Sequence, residues 1–401
     1  MRSRLRAILF ADLMRTLSVL LGLTQFLIGH WVVVVLAGRE GPGLLLGSGL
    51  AALLVALNLW ARLAMRSARQ QRGWPRRFAN AYRTGGLATL LLGVCVAFSW
   101  IGLLPLAALL ASLGVDRELA FELFRTGSVL VVGALFAMVV WGFTGGQARI
   151  ECTRIRVAIP GMAAVHRGLR IVQLSDFHIG NGLEGERLDR LVRQVNDLDA
   201  DLLALTGDLF DFDPTFVEAG ARSLSALRAR LGVFAVLGNH DTYTGTETVT
   251  AALASHAPGI RLLRGEVVRL PLDPPLYVAG VDDPGRGQNW TKRNIHIEEL
   301  EALGRDLPED GPVLLLVHRP EAFPQAARLG FPLVLAGHTH GGQIALPTPG
   351  GRFNLARIVT PFHRGLYREN GSVLYVNRGI GVAGPAMRFN CAREIATIEL
   401  A

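Results

Sequence analysis

Aspartate, histidine and asparagine residues recur in five short motifs between residues 176 and 340, each directly after an apolar run. The motifs are Asp176-Phe177-His178, Gly207-Asp208, Gly238-Asn239-His240-Asp241, His318-Arg319-Pro320 and Gly337-His338-Thr339-His340. Carboxylate, imidazole and amide ligands without thiolates suit borderline to hard divalent cations such as Mn²⁺, Fe²⁺ or Zn²⁺. The residue types and their order therefore predict a site for divalent metal ions.

The apolar runs before these motifs have the length of buried strands, and they alternate with amphipathic segments in an α/β pattern. Apolar residues at helical spacing, Leu188, Leu191, Val192, Val195 and Leu198, predict a helix between the first two runs. The carboxyl ends of strands in α/β sheets converge on one crevice, so the five motifs should meet there. The predicted strands are 169–174, 202–206, 233–237, 276–281, 313–317 and 333–336.

The motifs hold more candidate ligands than one metal ion can use. They are Asp176, His178, Asp208, Asn239, His318, His338 and His340. This set exceeds the needs of one tetrahedral ion and suits two ions that share a bridging carboxylate. Two such cations acidify a shared water and clamp the attacking and leaving oxygens of an in-line displacement at phosphorus. We expect two divalent ions, with Mn²⁺ preferred and Fe²⁺ or Zn²⁺ as alternatives.

The complete pattern D-x-H, G-D, G-N-H-D, H and G-H-x-H, in this order, resembles the calcineurin-like metallophosphoesterase superfamily, in particular its membrane-associated bacterial branch. The similarity extends over residues 151–401, including Tyr375-Val376-Asn377-Arg378-Gly379-Ile380-Gly381 and Arg393-Glu394-Ile395. It implies a sandwich of two β-sheets flanked by helices, with the metal ions at strand ends between the sheets.

The resemblance also implies roles for the motif residues. Asp176, His178, Asp208 and His340 would hold the first metal, and Asp208, Asn239, His318 and His338 the second, with Asp208 as the bridge. His240 would stabilise the transition state or protonate the leaving oxygen, and Asp241 would hold the His240 imidazole in orientation.

The first 150 residues have a different composition. The whole chain is 50% hydrophobic and 18% charged, with a mean hydropathy of +0.34, too apolar for a purely soluble protein. Its apolar residues concentrate in four stretches, each long enough to cross a bilayer. A transmembrane region is thus predicted at 1–150 and a metallophosphoesterase domain at 151–401, with spans at 16–38, 41–61, 84–115 and 126–148.

The charges predict the orientation of these spans. Residues 1–150 carry 15 arginines and five acidic residues, a net charge of +10, whereas residues 151–401 carry a net charge of −2. Arginines cluster before the first span and in the loop 62–83, which the positive-inside rule places in the cytoplasm. We expect a multi-pass protein of the inner (cytoplasmic) membrane with its catalytic domain on the cytoplasmic side. A signal peptide ending at Val35-Leu36-Ala37 is the alternative, against which the three further spans argue.

The expected substrate is a phosphate ester beside the lipid bilayer, a phosphodiester or pyrophosphate that is lipid-linked. Arg364, in the loop after the metal histidines, is a candidate ligand of its phosphate. A nuclease is one alternative, but the net charge of −2 speaks against nucleic acid as a partner. A metal-binding membrane sensor or transporter without catalysis is another. The apolar spans and the presence of His240 and Asp241 disfavour it.

Overall fold

The computed structural model describes residues 2–68, 74–283, 285, 297–345, 354, 356–384 and 386–401. Within it the chain divides into two compact units, Met1–Val140 and Trp141–Ala401. The first unit is helical, and the second contains all twelve strands of the described residues.

Four helices in the described residues are long and apolar enough to cross a membrane, over Arg15–Leu36, Leu44–Leu63, Ala88–Ser112 and Arg117–Gly146. Their surfaces carry many exposed leucine, valine and phenylalanine side chains, which is typical of helices that face lipid. The third helix begins well before the predicted apolar stretch. The helices are α1 (Arg2–Trp31), which continues as a π-helical turn (Val32–Leu36), α2 (Leu44–Ala68), α3 (Trp74–Ser112) and α4 (Arg117–Trp141).

Polar side chains inside the spans pair with one another. Asn58 donates a hydrogen bond to the Gln25 side chain at 2.7 Å and accepts one from the Tyr82 hydroxyl at 2.5 Å. The Trp31 indole N–H donates to the Ser128 hydroxyl at 2.9 Å. In an apolar environment such bonds satisfy groups that would otherwise be costly to bury, so these residues join helices to one another.

The second unit is built on two six-stranded mixed sheets. The first sheet has the order β1-β12-β2-β3-β4-β5, and the second has the order β10-β11-β9-β8-β7-β6. The strands are β1 (Ile150–Val157), β2 (Arg170–Leu174), β3 (Leu202–Thr206), β4 (Val233–Val236), β5 (Ile260–Leu262), β6 (Glu266–Arg269), β7 (Tyr277–Gly280), β8 (Val313–Leu316), β9 (Leu333–Ala336), β10 (Gly365–Glu369), β11 (Ser372–Val376) and β12 (Arg393–Leu400).

The two sheets share one apolar layer and bury their outer faces under helices. Ile171 and Leu202 of the first sheet pack in one buried cluster with Leu314 and Leu333 of the second. The next residue along each strand points to the opposite face of its sheet, so that Leu203 packs against the helices that cover the first sheet. Strands buried on both faces read as continuous apolar runs. The helices are α5 (Glu186–Asn196), α6 (Val217–Leu224), α7 (Asn239–His256), α8 (Ile297–Arg305), α9 (Phe323–Arg328) and α10 (Ala356–Val359).

The sandwich flanked by helices confirms the predicted α/β class. Every strand predicted from an apolar run is present with each end within one residue of its predicted position. The predicted helix is α5, which ends two residues before Leu198. The strands β1, β5, β6, β10, β11 and β12 were not predicted.

Candidate metal centre

All five sequence motifs lie directly after the carboxyl ends of strands in the middle of the two sheets. Parallel strands β2, β3 and β4 carry the first three motifs, and parallel strands β8 and β9 carry the last two. The buried Gln173 side chain of β2 links the sheets by donating hydrogen bonds to the Thr206 hydroxyl at 3.0 Å and the Ala336 carbonyl at 2.9 Å. The strand ends of both sheets therefore present their polar residues to one place.

Several of these polar residues adopt a backbone conformation that is rare outside glycine. They have φ between 48° and 71° and comprise Asp176, His178, Asp208, His338 and His340. Such left-handed conformations cost on the order of 1–3 kcal/mol each and persist where the surroundings impose them. The sharp turn after each strand aims the side chains back over the strand ends.

Three of the motifs begin with a glycine because the backbone there passes too close to a neighbouring side chain to allow a Cβ atom. A methyl group at Gly238 would collide with the Asp208 carboxylate, and one at Gly337 would collide with the Ser175 hydroxyl. Gly207 combines a φ of 86° with a close approach to the His318 ring. These glycines let the motif loops pack against each other.

A first group of ligand atoms is formed by Asp176, His178 and His340, whose side chains are buried and whose candidate atoms all lie within 4.8 Å of one another. The Nε2 atoms of His178 and His340 are 3.0 Å apart, and His340 Nε2 lies 3.3 Å from the Asp176 carboxylate. The Asp176 carboxylate also accepts the His338 backbone N–H at 3.0 Å.

A second group is formed by Asp208, His318 and His338, within the same limit of 4.8 Å. His318 Nε2 lies 3.2 Å from the Asp208 carboxylate and 3.1 Å from His338 Nδ1. His318 Nδ1 donates to the Thr206 carbonyl at 2.9 Å. That bond fixes the imidazole orientation and leaves Nε2 as the ligand atom.

The residues present fit divalent cations. In each group two imidazole nitrogens approach to about 3 Å, a distance at which two neutral lone pairs need a proton or a cation between them. The Asn239 side-chain oxygen is buried and has no hydrogen-bond partner, although buried acceptors are normally satisfied. Asp208 adjoins both groups, since its carboxylate also lies 3.6 Å from His178 Nε2.

The charges in this cluster are strongly coupled. Burial acts to raise the pKa of Asp208, but the neighbouring His318 and His178 hold it well below its usual value. Burial acts to lower the pKa of His318, yet the Asp208 carboxylate raises it to about 10. Burial and the positive charge of His318 keep the pKa of His338 well below its usual value. The buried carboxylates and the histidines of the site thus depend on one another for their charge states.

Asp211, not Asp241, contacts the His240 imidazole. The His240 Nδ1 atom lies 2.7 Å from the Asp211 carboxylate, which also lies 3.2 Å from His178 Nδ1. Asp241 instead accepts the backbone N–H groups of Leu209, Phe210 and Gly238 at 2.8 to 3.1 Å. The role expected for Asp241 is therefore wrong: its buried carboxylate fixes the loop after β3. Burial and the Asp208 charge raise the pKa of Asp241 to about 7.

Comparison with known proteins decides the family. Residues 169–342 match the calcineurin-like phosphoesterase family. An Aquifex aeolicus protein, an uncharacterized metallophosphoesterase, is 31% identical over 233 residues, which cover 58% of this chain and 85% of that protein. The chain belongs to the calcineurin-like metallophosphoesterase family. This confirms the resemblance, and the family uses a dinuclear metal centre.

Two animal relatives of this metallophosphoesterase carry the name "transmembrane protein with metallophosphoesterase domain". The Danio rerio protein is 30% identical over 305 residues, covering 72% of this chain and 66% of that protein. The Bos taurus protein is 31% identical over 300 residues, covering 72% of this chain and 64% of that protein. The chain therefore spans slightly less than two thirds of the length of these relatives.

Arg364 lies beside the turn that carries the candidate ligands His338 and His340. A methyl group at Gly341 would contact its Cδ atom at 3.4 Å. The Thr339 hydroxyl, between His338 and His340, donates to the His363 carbonyl at 2.7 Å. The loop before β10 is thus held against the site, which places the partly buried Arg364 next to His340.

Two features of the site were not found from the sequence. Asp211 could have been, since it is a second carboxylate three residues after Asp208 in the same loop. The other is the fully buried Arg388, which donates to the carbonyls of Arg378, Gly379 and Gly381 at 2.8 to 3.1 Å. It braces the loop whose Gly381 N–H donates to the Asp176 carbonyl at 2.7 Å, and nothing in the local sequence distinguishes it from other arginines.

Proposed function

We propose that the protein is a membrane-anchored, binuclear metal-dependent phosphohydrolase. The observation that carries the proposal is the presence of two adjoining groups of candidate ligand atoms, in which every residue but the half-buried His338 is buried, together with the unsatisfied Asn239 oxygen. Asp176, His178, Asp208 and His340 would hold one divalent ion, and Asp208, Asn239, His318 and His338 the other. Mn²⁺ is the expected metal.

The bound cations would supply an acidified water and neutralise charge on the phosphoryl oxygens. The protein supports them with rigid ligands. Asp176 and Asp208 are at most 2% exposed, and hydrogen bonds from backbone N–H groups orient both carboxylates: His338 donates to Asp176 and His240 donates to Asp208. Ligands positioned in this way lose little freedom when the metals bind.

His240 would donate a proton to the leaving oxygen. Its Nδ1 faces the Asp211 carboxylate, so that its Nε2 edge is available to a substrate. Burial acts to raise the pKa of Asp211, but hydrogen bonds from His178 and His240 lower it to about 2. Asp211 therefore stays ionised near neutral pH and stabilises the protonated His240 imidazole.

The substrate would be a phosphodiester or a pyrophosphate, with one phosphate oxygen bound by Arg364. Four helices long enough to span a membrane precede the catalytic unit, which favours a lipid-linked ester over a soluble one. The arginine-rich loop between the second and third spans favours a cytoplasmic position for the catalytic unit, at the inner membrane.

The test uses the full chain purified in detergent. Turnover of bis-p-nitrophenyl phosphate and p-nitrophenyl phosphate is measured with and without Mn²⁺, alongside Asp208→Asn and the surface control Asp197→Asn. We expect Mn²⁺-dependent turnover that Asp208→Asn abolishes and Asp197→Asn leaves unchanged. Absence of turnover in folded, metal-loaded protein on these esters and on an acylated sugar phosphodiester would contradict the proposal.

The lipid preference is tested separately. The full chain is given an acylated phosphodiester and its deacylated counterpart at equal concentrations. We expect a higher kcat/KM for the acylated ester. Equal values would contradict a lipid-linked substrate but would not contradict the proposed hydrolase activity.

A further inference from the structure

A cavity of about 570 Å³ lies in the second unit, between the end of the fourth candidate span and helix α5. The last turn of that span, Gly142–Gly146, is π-helical and packs tightly on residues 387 and 388. The Arg388 N–H donates to the Gly142 carbonyl at 3.0 Å. Residues 142–146, which form one wall of the cavity, are therefore held against residues 387 and 388 of the same unit.

Arg393 is buried at this cavity without an anionic partner. Its side chain is 8% exposed, and its Nε–H has no hydrogen-bond partner. One Nη2–H donates to the neutral Gln147 side chain at 2.9 Å. Of the two other arginines that are buried in the described residues, Arg319 pairs with the Asp283 carboxylate, and Arg388 donates from Nε, Nη1 and Nη2 to backbone carbonyls. A guanidinium buried without a counter-charge is costly unless a ligand supplies one.

Two further arginines line the same cavity. Arg187 and Arg190 lie on α5 with exposed side chains, and Arg187 donates to the Gly182 carbonyl at 3.2 Å. Among the described residues, no carboxylate oxygen lies within 4 Å of a nitrogen of Arg187, Arg190 or Arg393. Burial, followed by the positive charges of Arg388 and Arg187, lowers the pKa of Arg393 to about 10. The cavity therefore holds uncompensated positive charge.

The other residues that line the cavity indicate which kind of group is attached to an anion bound there. Leu183, Leu191 and Ile380 form an apolar wall beside the arginines, and Phe143 and Thr144 come from the last turn of the span. By its position in the chain this turn lies at the level of lipid head groups, where basic pockets bind anionic lipids. Guanidinium groups bind phosphate oxygens through paired, charge-assisted hydrogen bonds.

We propose that Arg187, Arg190 and Arg393 form a second site, separate from the metal centre, that binds the phosphate group of an anionic membrane lipid. The inference rests on the membrane anchoring proposed above but not on catalysis. Glycerophospholipids with a net negative head group are the expected ligand class.

The test measures binding to the full chain in non-ionic detergent with EDTA, which keeps the metal centre from capturing phosphate. The probes are dioctanoyl phosphatidylglycerol, dioctanoylglycerol without a phosphate, and inorganic phosphate. The readout is the ligand-dependent rise of the thermal unfolding midpoint, from which an affinity is obtained. The variants are Arg393→Gln and the double variant Arg187→Gln/Arg190→Gln, which changes two exposed side chains of α5. Arg193→Gln, on the same helix outside the cavity, is the matched control.

Phosphatidylglycerol is expected to bind saturably, and the two cavity variants to weaken it at least about tenfold, while Arg193→Gln leaves it unchanged. Dioctanoylglycerol should not bind. If inorganic phosphate binds as tightly as the lipid and is weakened by the same arginine variants, the site binds phosphate and the assignment to a lipid is wrong. Binding that is unsaturable, or that is unchanged in both cavity variants, overturns the proposal whether or not the enzyme is active.

Discussion

Replacing Asp211 by asparagine tests the assignment of the proton donor. The change keeps the size of the side chain but removes the charge that faces His240 at 2.7 Å and His178 at 3.2 Å. Asp211 is held ionised by these two histidines, with a pKa of about 2. The variant therefore removes a negative charge at every pH at which the enzyme is assayed.

The expected loss follows from the bond to His240. A hydrogen bond to a charged group contributes about 1.5–3 kcal/mol, which corresponds to a roughly 10- to 150-fold decrease in rate. Because a proton donor matters most when the leaving oxygen is basic, the loss should be near the upper end for an alkyl phosphodiester. It should be small for a p-nitrophenyl ester, whose leaving group needs no proton.

The assay compares kcat for bis-p-nitrophenyl phosphate and for a dialkyl phosphodiester, whose leaving alkoxide needs a proton, at saturating Mn²⁺. Saturating metal matters because the same carboxylate orients His178, and loss of such support lowers metal affinity about 10- to 100-fold. Asp197→Asn is the matched control on an exposed helix end.

Equal losses for good and poor leaving groups would refute the reasoning. That result would mean that Asp211 acts only through the metal site and that His240 is not the proton donor. Full activity on both esters together with an unchanged Mn²⁺ affinity would exclude both roles.

Three other perturbations have definite expected outcomes. Gly337→Ala places a methyl group against the Ser175 hydroxyl and the Asp176 carboxylate and should lower stability by about 1–3 kcal/mol, seen as a lower thermal midpoint; an unchanged midpoint would contradict the geometry. In metal-free protein the pKa of His318 is raised to about 10, so its charge stabilises the fold fully below about pH 6.5 and this contribution is lost as pH rises through 10. Mn²⁺ must displace that proton, so its affinity, followed by calorimetry, should fall about tenfold per unit as pH decreases from 9 to 7, and a flat profile would exclude His318 as a ligand. Glu394→Gln breaks the buried contacts of this carboxylate with Arg378 and Tyr375 and should cost about 3–5 kcal/mol in urea unfolding, whereas the half-exposed Glu399→Gln should change little.

The strands that carry the site are predictable because they are buried on both faces. A run such as Leu202–Thr206 is buried throughout, apolar up to its last residue and bounded by a turn, so its position can be predicted without knowledge of its partner strands. The unpredicted strand β1 alternates charged and apolar residues, and β5 has three residues. These segments form strands because they pair with partners far away in the chain, as Ile150 pairs with Arg393. The local sequence does not reveal these partners.

That the candidate ligands come together was predictable for a similar reason, and the partner of His240 was not. Each ligand follows its strand at once, so topology alone brings it to the centre. Asp241 is adjacent to His240 in sequence, but both lie at the start of helix α7, where residues at i and i+1 point in different directions. The adjacent carboxylate therefore faces backbone amides, and one from another loop faces the imidazole.

Strand β12 lies between β1 and β2 in the first sheet, which constrains the order in which the protein can be assembled during synthesis. β1 directly follows the fourth helix, yet its partner is made only after the 235 residues between Val157 and Arg393. At about 5–20 residues per second, β1 waits roughly 10 to 50 s with an unpaired edge. The loop that follows β11 contacts Asp176 through Gly381, and Glu394 of β12 donates its backbone N–H to the Gly379 carbonyl of the same loop. This loop therefore also lacks a partner during that interval. A ribosome that stops before β12 would leave an incomplete sheet, a natural substrate for chaperones and proteases.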